Sequence, residues 1–239
     1  MKKTMGFILC MTLLLSATGC GGSDEDVRGT IEEASTEAVD TTEAAEETEA
    51  TEATEAAEEE AFTFGEVNSN VYENAFIGIG CNLSSDWTFY SDEEIMELNN
   101  FVVDAAGEDF AEAVEDAQVI YDMYAMYSDG MSSVNVTLEN MGIAKIALLD
   151  VAESLESSKG MLEDAFTNMG YENIATEITT VTIDGEEFDA MTVQASYADM
   201  NMYELVFAGK CGKYMWTATI GTFGEDTTQE ILDTFYLVD

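Results

Sequence analysis

The chain has 239 residues and carries 50 Asp and Glu against 7 Lys and Arg, a formal net charge of −43, with no His and no Pro. A polyanion of this kind is repelled by phosphate backbones and by anionic headgroups, which excludes nucleic acid as a partner and a basic patch as a membrane anchor. Without His there is no Ser-His-Asp triad, no Cys-His pair and no His-ligated zinc, so acid–base chemistry would fall to carboxylates, Tyr, Lys or Cys.

Residues 1–19 begin with Lys2 and Lys3 and continue into an apolar run, Met5 to Ala17, broken only by Gly6, Thr12 and Ser16. A charged start, a short apolar stretch and a small-residue end describe a secretory signal peptide. The run is too short for a spanning helix, which needs about 20 apolar residues. The closing Ala17-Thr18-Gly19-Cys20 resembles the lipobox of bacterial lipoproteins, although Leu usually stands where Ala17 does. The resemblance implies cleavage before Cys20 and acylation of Cys20, palmitate included. One acyl chain binds a bilayer marginally, and two hold. The expectation is a chain fixed by Cys20 to the extracytoplasmic face of the cell membrane.

Residues 20–61 change character. Between Gly21 and Ala61 lie 16 acidic residues and one Arg, and the only large aliphatics are Val27, Ile31 and Val39. Such a tract buries too little to offset the entropy of ordering, and its Glu pairs repel along a helix, so it reads as a disordered tether. Fully extended, its 41 residues after Cys20 span on the order of 140 Å.

Residues 62–239 hold the remaining 34 acids and only four Lys, and they carry the periodic patterns of a folded domain. Ala75 to Leu83 and Trp87 to Tyr90 read as short strands. SDEEIMELNN begins a helix, with Ser91 and Glu94 spaced as a capping box. A second helix is expected near Glu108 to Ala117. Val119 to Tyr127 and Met131 to Glu139 flank Asp129-Gly130, a hairpin signal. The second of these strands alternates Val134, Val136 and Leu138 with Asn135, Thr137 and Glu139, which predicts one wet face. A helix is expected from Ile146 to Met169, with Leu148, Val151, Ala152 and Leu155 on its buried side, a kink at Gly160 and a stop at Gly170. A meander follows: Thr176 to Ile183, Glu187 to Tyr197, Met202 to Ala208 and Tyr214 to Thr222. A last helix, Thr227 to Phe235, closes the chain.

Helices between and after antiparallel hairpins imply an α+β fold, an antiparallel β-sheet flanked by helices. The stretch YENAFIGIGCNLSSDWTFYSDEE, residues 72–94, resembles the opening of PsbP/Mog1-like domains, including those of uncharacterised lipoproteins from Gram-positive bacteria. The resemblance implies an α/β/α sandwich over residues 62–239 and carries no activity. Members include non-catalytic photosystem subunits and small-GTPase partners.

No catalytic constellation, metal ligand set or cofactor motif is legible. Cys81 and Cys211 could form a disulfide worth about 5 kcal/mol, or could simply be buried thiols. Asp184, Glu186, Glu187 and Asp189 form one acidic cluster and Asp92, Glu93 and Glu94 another. Neither follows a calcium-loop pattern, and they read as a hairpin turn and a helix start. The Tyr and Met run from Tyr121 to Met131 could line an apolar site, and core packing is its simpler reading. The resulting expectation is a monomeric, non-catalytic binding or scaffold module with an unidentified surface or wall partner. The alternatives are a cell-wall hydrolase working through carboxylates, and a lipid or peptide carrier.

Overall fold

The strand from Ser133 to Asn140 alternates apolar with polar side chains, whereas the strand from Val119 to Tyr127 is apolar at nearly every position. The structure, a computed structural model, describes residues 62–99 and 119–238. The strands and helices in chain order are β1 (Glu66–Asn68), β2 (Val71–Asn74), β3 (Ile79–Asn82), β4 (Trp87–Phe89), α1 (Asp92–Leu98), β5 (Val119–Tyr127) and β6 (Ser133–Asn140). They continue as α2 (Ile143–Ile146), α3 (Val151–Asn168), β7 (Glu172–Ile183), β8 (Glu186–Tyr197), β9 (Met200–Cys211), β10 (Tyr214–Phe223), α4 (Thr228–Leu232) and β11 (Phe235–Leu237). All strand pairs are antiparallel and form two sheets, one of seven strands in the order β4-β5-β6-β10-β9-β8-β7 and one of four in the order β1-β2-β3-β11.

The fold class is α+β, weighted toward β. Trp216, Ala218 and Ile220 on β10, with Phe207 and Leu205 on β9, face Tyr72, Ile79 and Cys81 of the smaller sheet. Met215, Val206, Ala208, Met191 and Val193 face the other way, onto α3. Among the described residues the layers are therefore sheet, sheet, helix. α3 earns its place through Val151, Ser154, Leu155, Ser158, Leu162 and Phe166, buried at helical spacing.

Several expectations hold. Ser91 and Glu94 make the capping box of α1. Asp184 and Gly185 both have positive φ, 50° and 89°, which suits the tight turn between β7 and β8. Gly170, at φ 90°, follows the end of α3.

Others are corrected. The helix expected from Ile146 starts at Val151, because the Asp150 side chain caps it by accepting from the Glu153 N–H at 2.9 Å. Leu148, placed on the buried face, is 89% exposed. Gly160 does not interrupt the helix. The strand expected from Ala75 begins only at Ile79, because Asn74 closes a turn, its Oδ1 accepting from the N–H of Phe76 at 2.8 Å and of Ile77 at 3.2 Å. The terminal helix stops at Leu232, and Phe235–Leu237 is a strand paired with β3. The expected wet face of β6 is dry, since Asn135 is 0% and Thr137 5% exposed. β6 lies inside the sheet between β5 and β10, where Asn135 and Thr137 stand opposite Thr219 and Thr217. The helix expected near residues 108–117 lies outside the described residues.

Candidate functional site

A buried carboxylate, Asp122, sits where the two sheets meet. The pairing of β5 with β6 shifts between Tyr121 and Met123, and Asp122 is the residue in that bulge. α1 is clamped beside it, with the Asn99 side chain donating to the Tyr121 carbonyl at 2.8 Å and accepting from the Tyr121 N–H at 2.7 Å. Asp122 is 5% exposed. Its Oδ1 accepts from the Gly65 N–H at 2.9 Å, and its Oδ2 accepts from Asn74 Nδ2 at 2.8 Å and from the Tyr72 hydroxyl. Tyr72 and Asn74 belong to β2, and Gly65 precedes β1, so one carboxylate ties the seven-stranded sheet to the four-stranded one. A Cβ at Gly65 would run into the Tyr72 ring and the Asp122 carboxylate, so the close approach needs glycine.

Burial raises the Asp122 carboxyl above the usual carboxylate range, and hydrogen bonds from Tyr72, Asn74 and Gly65 pull part of the way back. The Tyr72 phenol is pushed well above its ordinary value, first by burial and then by the Asp122 charge. Tyr72 is therefore a neutral donor at any ordinary pH.

Asp122 also lines a pocket of about 320 Å³. Phe64, Val67, Tyr90, Ile95, Met96 and Met123 supply its apolar wall, and Glu66 and Asp92 complete its polar side. The size and the mix of apolar wall with few polar groups match a small-molecule site. Both oxygens of Asp122 already accept hydrogen bonds, which makes it a weak nucleophile or general base and leaves it able to accept one further donor. Asp122, Tyr72, Asn74 and Gly65 were not singled out by sequence reasoning. The available signal was a lone Asp within the apolar run VIYDMYAMY, since a charge on a buried strand is nearly always paired.

Cys20 lies outside the described residues, as do residues 1–61. Cys81 and Cys211 are free thiols in the structure. Cys81 is 0% exposed, and burial pushes its thiol up to about 12. Cys211 is half-buried and its Sγ donates to the Phe76 carbonyl at 2.8 Å. In folded protein without reductant, iodoacetamide is expected to label Cys211 and to reach Cys81 only on unfolding. Peptide mass spectrometry checks this, and labelling of Cys81 at the rate of Cys211 would contradict it.

The acidic clusters take structural roles. Asp184 Oδ2 accepts the Leu237 N–H at 2.9 Å, tying the β7–β8 turn to β11. Glu94 accepts from the Ser91 N–H at 2.8 Å, which holds its carboxyl below the usual range. Among the described residues no group of three His, Cys, Asp or Glu could hold a metal ion. In the Tyr121–Met131 run, Met123, Tyr124 and Ala125 are core, while Asp122 and Met123 also line the pocket.

No family model matches the chain, and no curated protein matches it. Among solved structures it is similar to LpqN of Mycobacterium tuberculosis, described as involved in cell envelope biogenesis. The identity is 9%, the TM-score 0.37, and the match covers 67% of this chain and 83% of that one. So low a score establishes neither a shared family nor a shared activity. No helix among the described residues is long and apolar enough to cross a membrane.

Proposed function

We propose that this protein is an extracytoplasmic lipoprotein, held at the membrane by acyl chains on Cys20 and spaced from it by residues 20–61. Residues 62–239 act as a non-catalytic binding module. The pocket beside Asp122 takes a small amphipathic ligand, with its apolar body against Met96, Met123 and Ile95 and a hydroxyl donating to Asp122. The observation that carries the binding reading is a largely apolar pocket of about 320 Å³ with one buried carboxylate in its wall. The anchoring reading rests on Lys2-Lys3, the short apolar run and the Gly19-Cys20 junction. The PsbP/Mog1-like reading of residues 62–239 rests on the stretch from Tyr72 to Glu94.

At Asp122 itself binding is favoured over nucleophilic or acid–base chemistry, because its acceptor capacity is largely occupied by Gly65, Tyr72 and Asn74.

Two experiments separate anchor from ligand. Cys20→Ala is expected to move the protein from the membrane fraction to the medium, and retention in the membrane would refute the anchor. A short-chain alkyl alcohol titrated against the purified chain is expected to bind saturably by NMR, with shifts at the Met96 and Met123 methyls. Met96→Trp, which fills the pocket, is expected to abolish binding. Absence of saturable shifts in the unaltered protein would refute the pocket.

A further inference from the structure

We propose that a second site, a groove beside the β5–β6 hairpin turn, binds a small organic cation bearing an ammonium group. The groove has a volume of about 530 Å³ and is separate from the Asp122 pocket, sharing no residue with it. Its aromatic wall is Trp87 and Tyr127, direct partners across β4 and β5, with ring centroids 5.2 Å apart and planes tilted by 54°. Phe223 adds a third ring to the lining.

The ionisable groups of the groove decide what fits there. They are three carboxylates, Asp129, Glu225 and Glu230, besides the Tyr127 phenol, and none of the domain's four Lys lines it. Asp129 is fixed in place, accepting from the Met131 N–H at 2.7 Å, the Ser132 N–H at 2.8 Å and the Ser132 hydroxyl at 2.7 Å. Glu225 and Glu230 are exposed and make no hydrogen bond or ion pair among the described residues, so both are available to a ligand. Electron-rich ring faces and carboxylates attract the same partner, a desolvated cation, and both repel an anion. A hard metal ion would want converging oxygens without the rings. An alkylammonium uses both, its methyl or methylene groups against Trp87 and Tyr127 and its charge toward Glu225 and Glu230.

The chain carries a built-in reporter. It has two Trp, of which Trp216 is 2% exposed and packed against Gly209, while Trp87 keeps 9% of its surface open. Choline titrated into the full chain is expected to change Trp emission saturably, whereas its uncharged carbon isostere and N-acetylglucosamine are not. By calorimetry, the double variant Glu225→Gln, Glu230→Gln is expected to weaken choline about tenfold. Both positions are exposed, so the fold is not at stake. The matching pair Glu186→Gln, Glu187→Gln, on the β7–β8 hairpin, is expected to leave choline binding unchanged. Equal binding of the uncharged isostere, binding of the sugar alone, or an unaltered choline affinity in the Glu225, Glu230 variant would each overturn the assignment. Loss of alcohol binding at the Asp122 pocket would not touch it.

Discussion

Asp122→Ala is expected to lower the unfolding free energy of the domain by about 3–5 kcal/mol, read as a shift in the urea midpoint. The substitution removes the acceptor shared by three donors, the Gly65 N–H, the Tyr72 hydroxyl and Asn74 Nδ2, of which Asn74 Nδ2 keeps a second acceptor in the Thr63 carbonyl at 3.3 Å. Each buried donor left without an acceptor costs about 1–3 kcal/mol. Relief from burying the Asp122 charge offsets part of the sum. Tyr72→Phe removes one donor and keeps the acceptor, so a smaller loss, about 1–2 kcal/mol, is expected. If Asp122→Ala and Tyr72→Phe proved equally mild, Asp122 would not be the tie between the sheets.

The same residue sets a pH dependence whose sign follows from its raised carboxyl. Between the unfolded value, about 3.9, and the raised folded value, the native state holds a proton that the unfolded chain has released. Stability from this group therefore falls as pH rises through that window and is regained on acidification. Relief of repulsion among the 34 acids of residues 62–239 acts in the same direction, so the unaltered protein alone cannot isolate Asp122. Asp122→Asn keeps the shape without the titration, and its stability is expected to be flatter with pH across the window. Parallel profiles for the two proteins would refute the assignment.

Phe207→Ala is expected to cost about 3–5 kcal/mol, a large share of a typical margin of about 5–15 kcal/mol. Phe207 is 0% exposed, with its ring centroid 6.0 Å from Trp216 and 5.2 Å from Phe235, both edge to face. Trp216 shares its sheet, while Phe235 belongs to β11 in the other, so Phe207 fills the space between layers. Near-UV circular dichroism at Trp216 is expected to weaken, and the amide of Val238, which donates to the Gly78 carbonyl at 3.0 Å, is expected to exchange faster with solvent. Leu148→Ala is the control, since Leu148 is 89% exposed and its truncation should leave stability unchanged.

Local chemistry was legible where one residue type dictates one backbone state. Asp184-Gly185 announced its turn, and Ser91 with Glu94 announced the start of α1. Lys2-Lys3, the short apolar run and Cys20 carry the proposed address, which would be read as sequence before anything folds. What depends on distant partners was not legible. The last helix, expected to run to Phe235, stops at Leu232, and Phe235–Leu237 forms a strand because β3 offers it an edge. Asn135 and Thr137 looked like a wet face and are buried in the folded chain, which the alternation by itself does not tell. Asp122 was one acid among fifty until the bulge in β5 set it within reach of Gly65, Tyr72 and Asn74. Sequence by itself determined the tight turns, the capping box of α1 and much of the apolar alternation. Only the tertiary structure decided which carboxylate is buried and where cavities lie, because burial and hydrogen-bond partnership belong to residues some fifty positions apart in the chain.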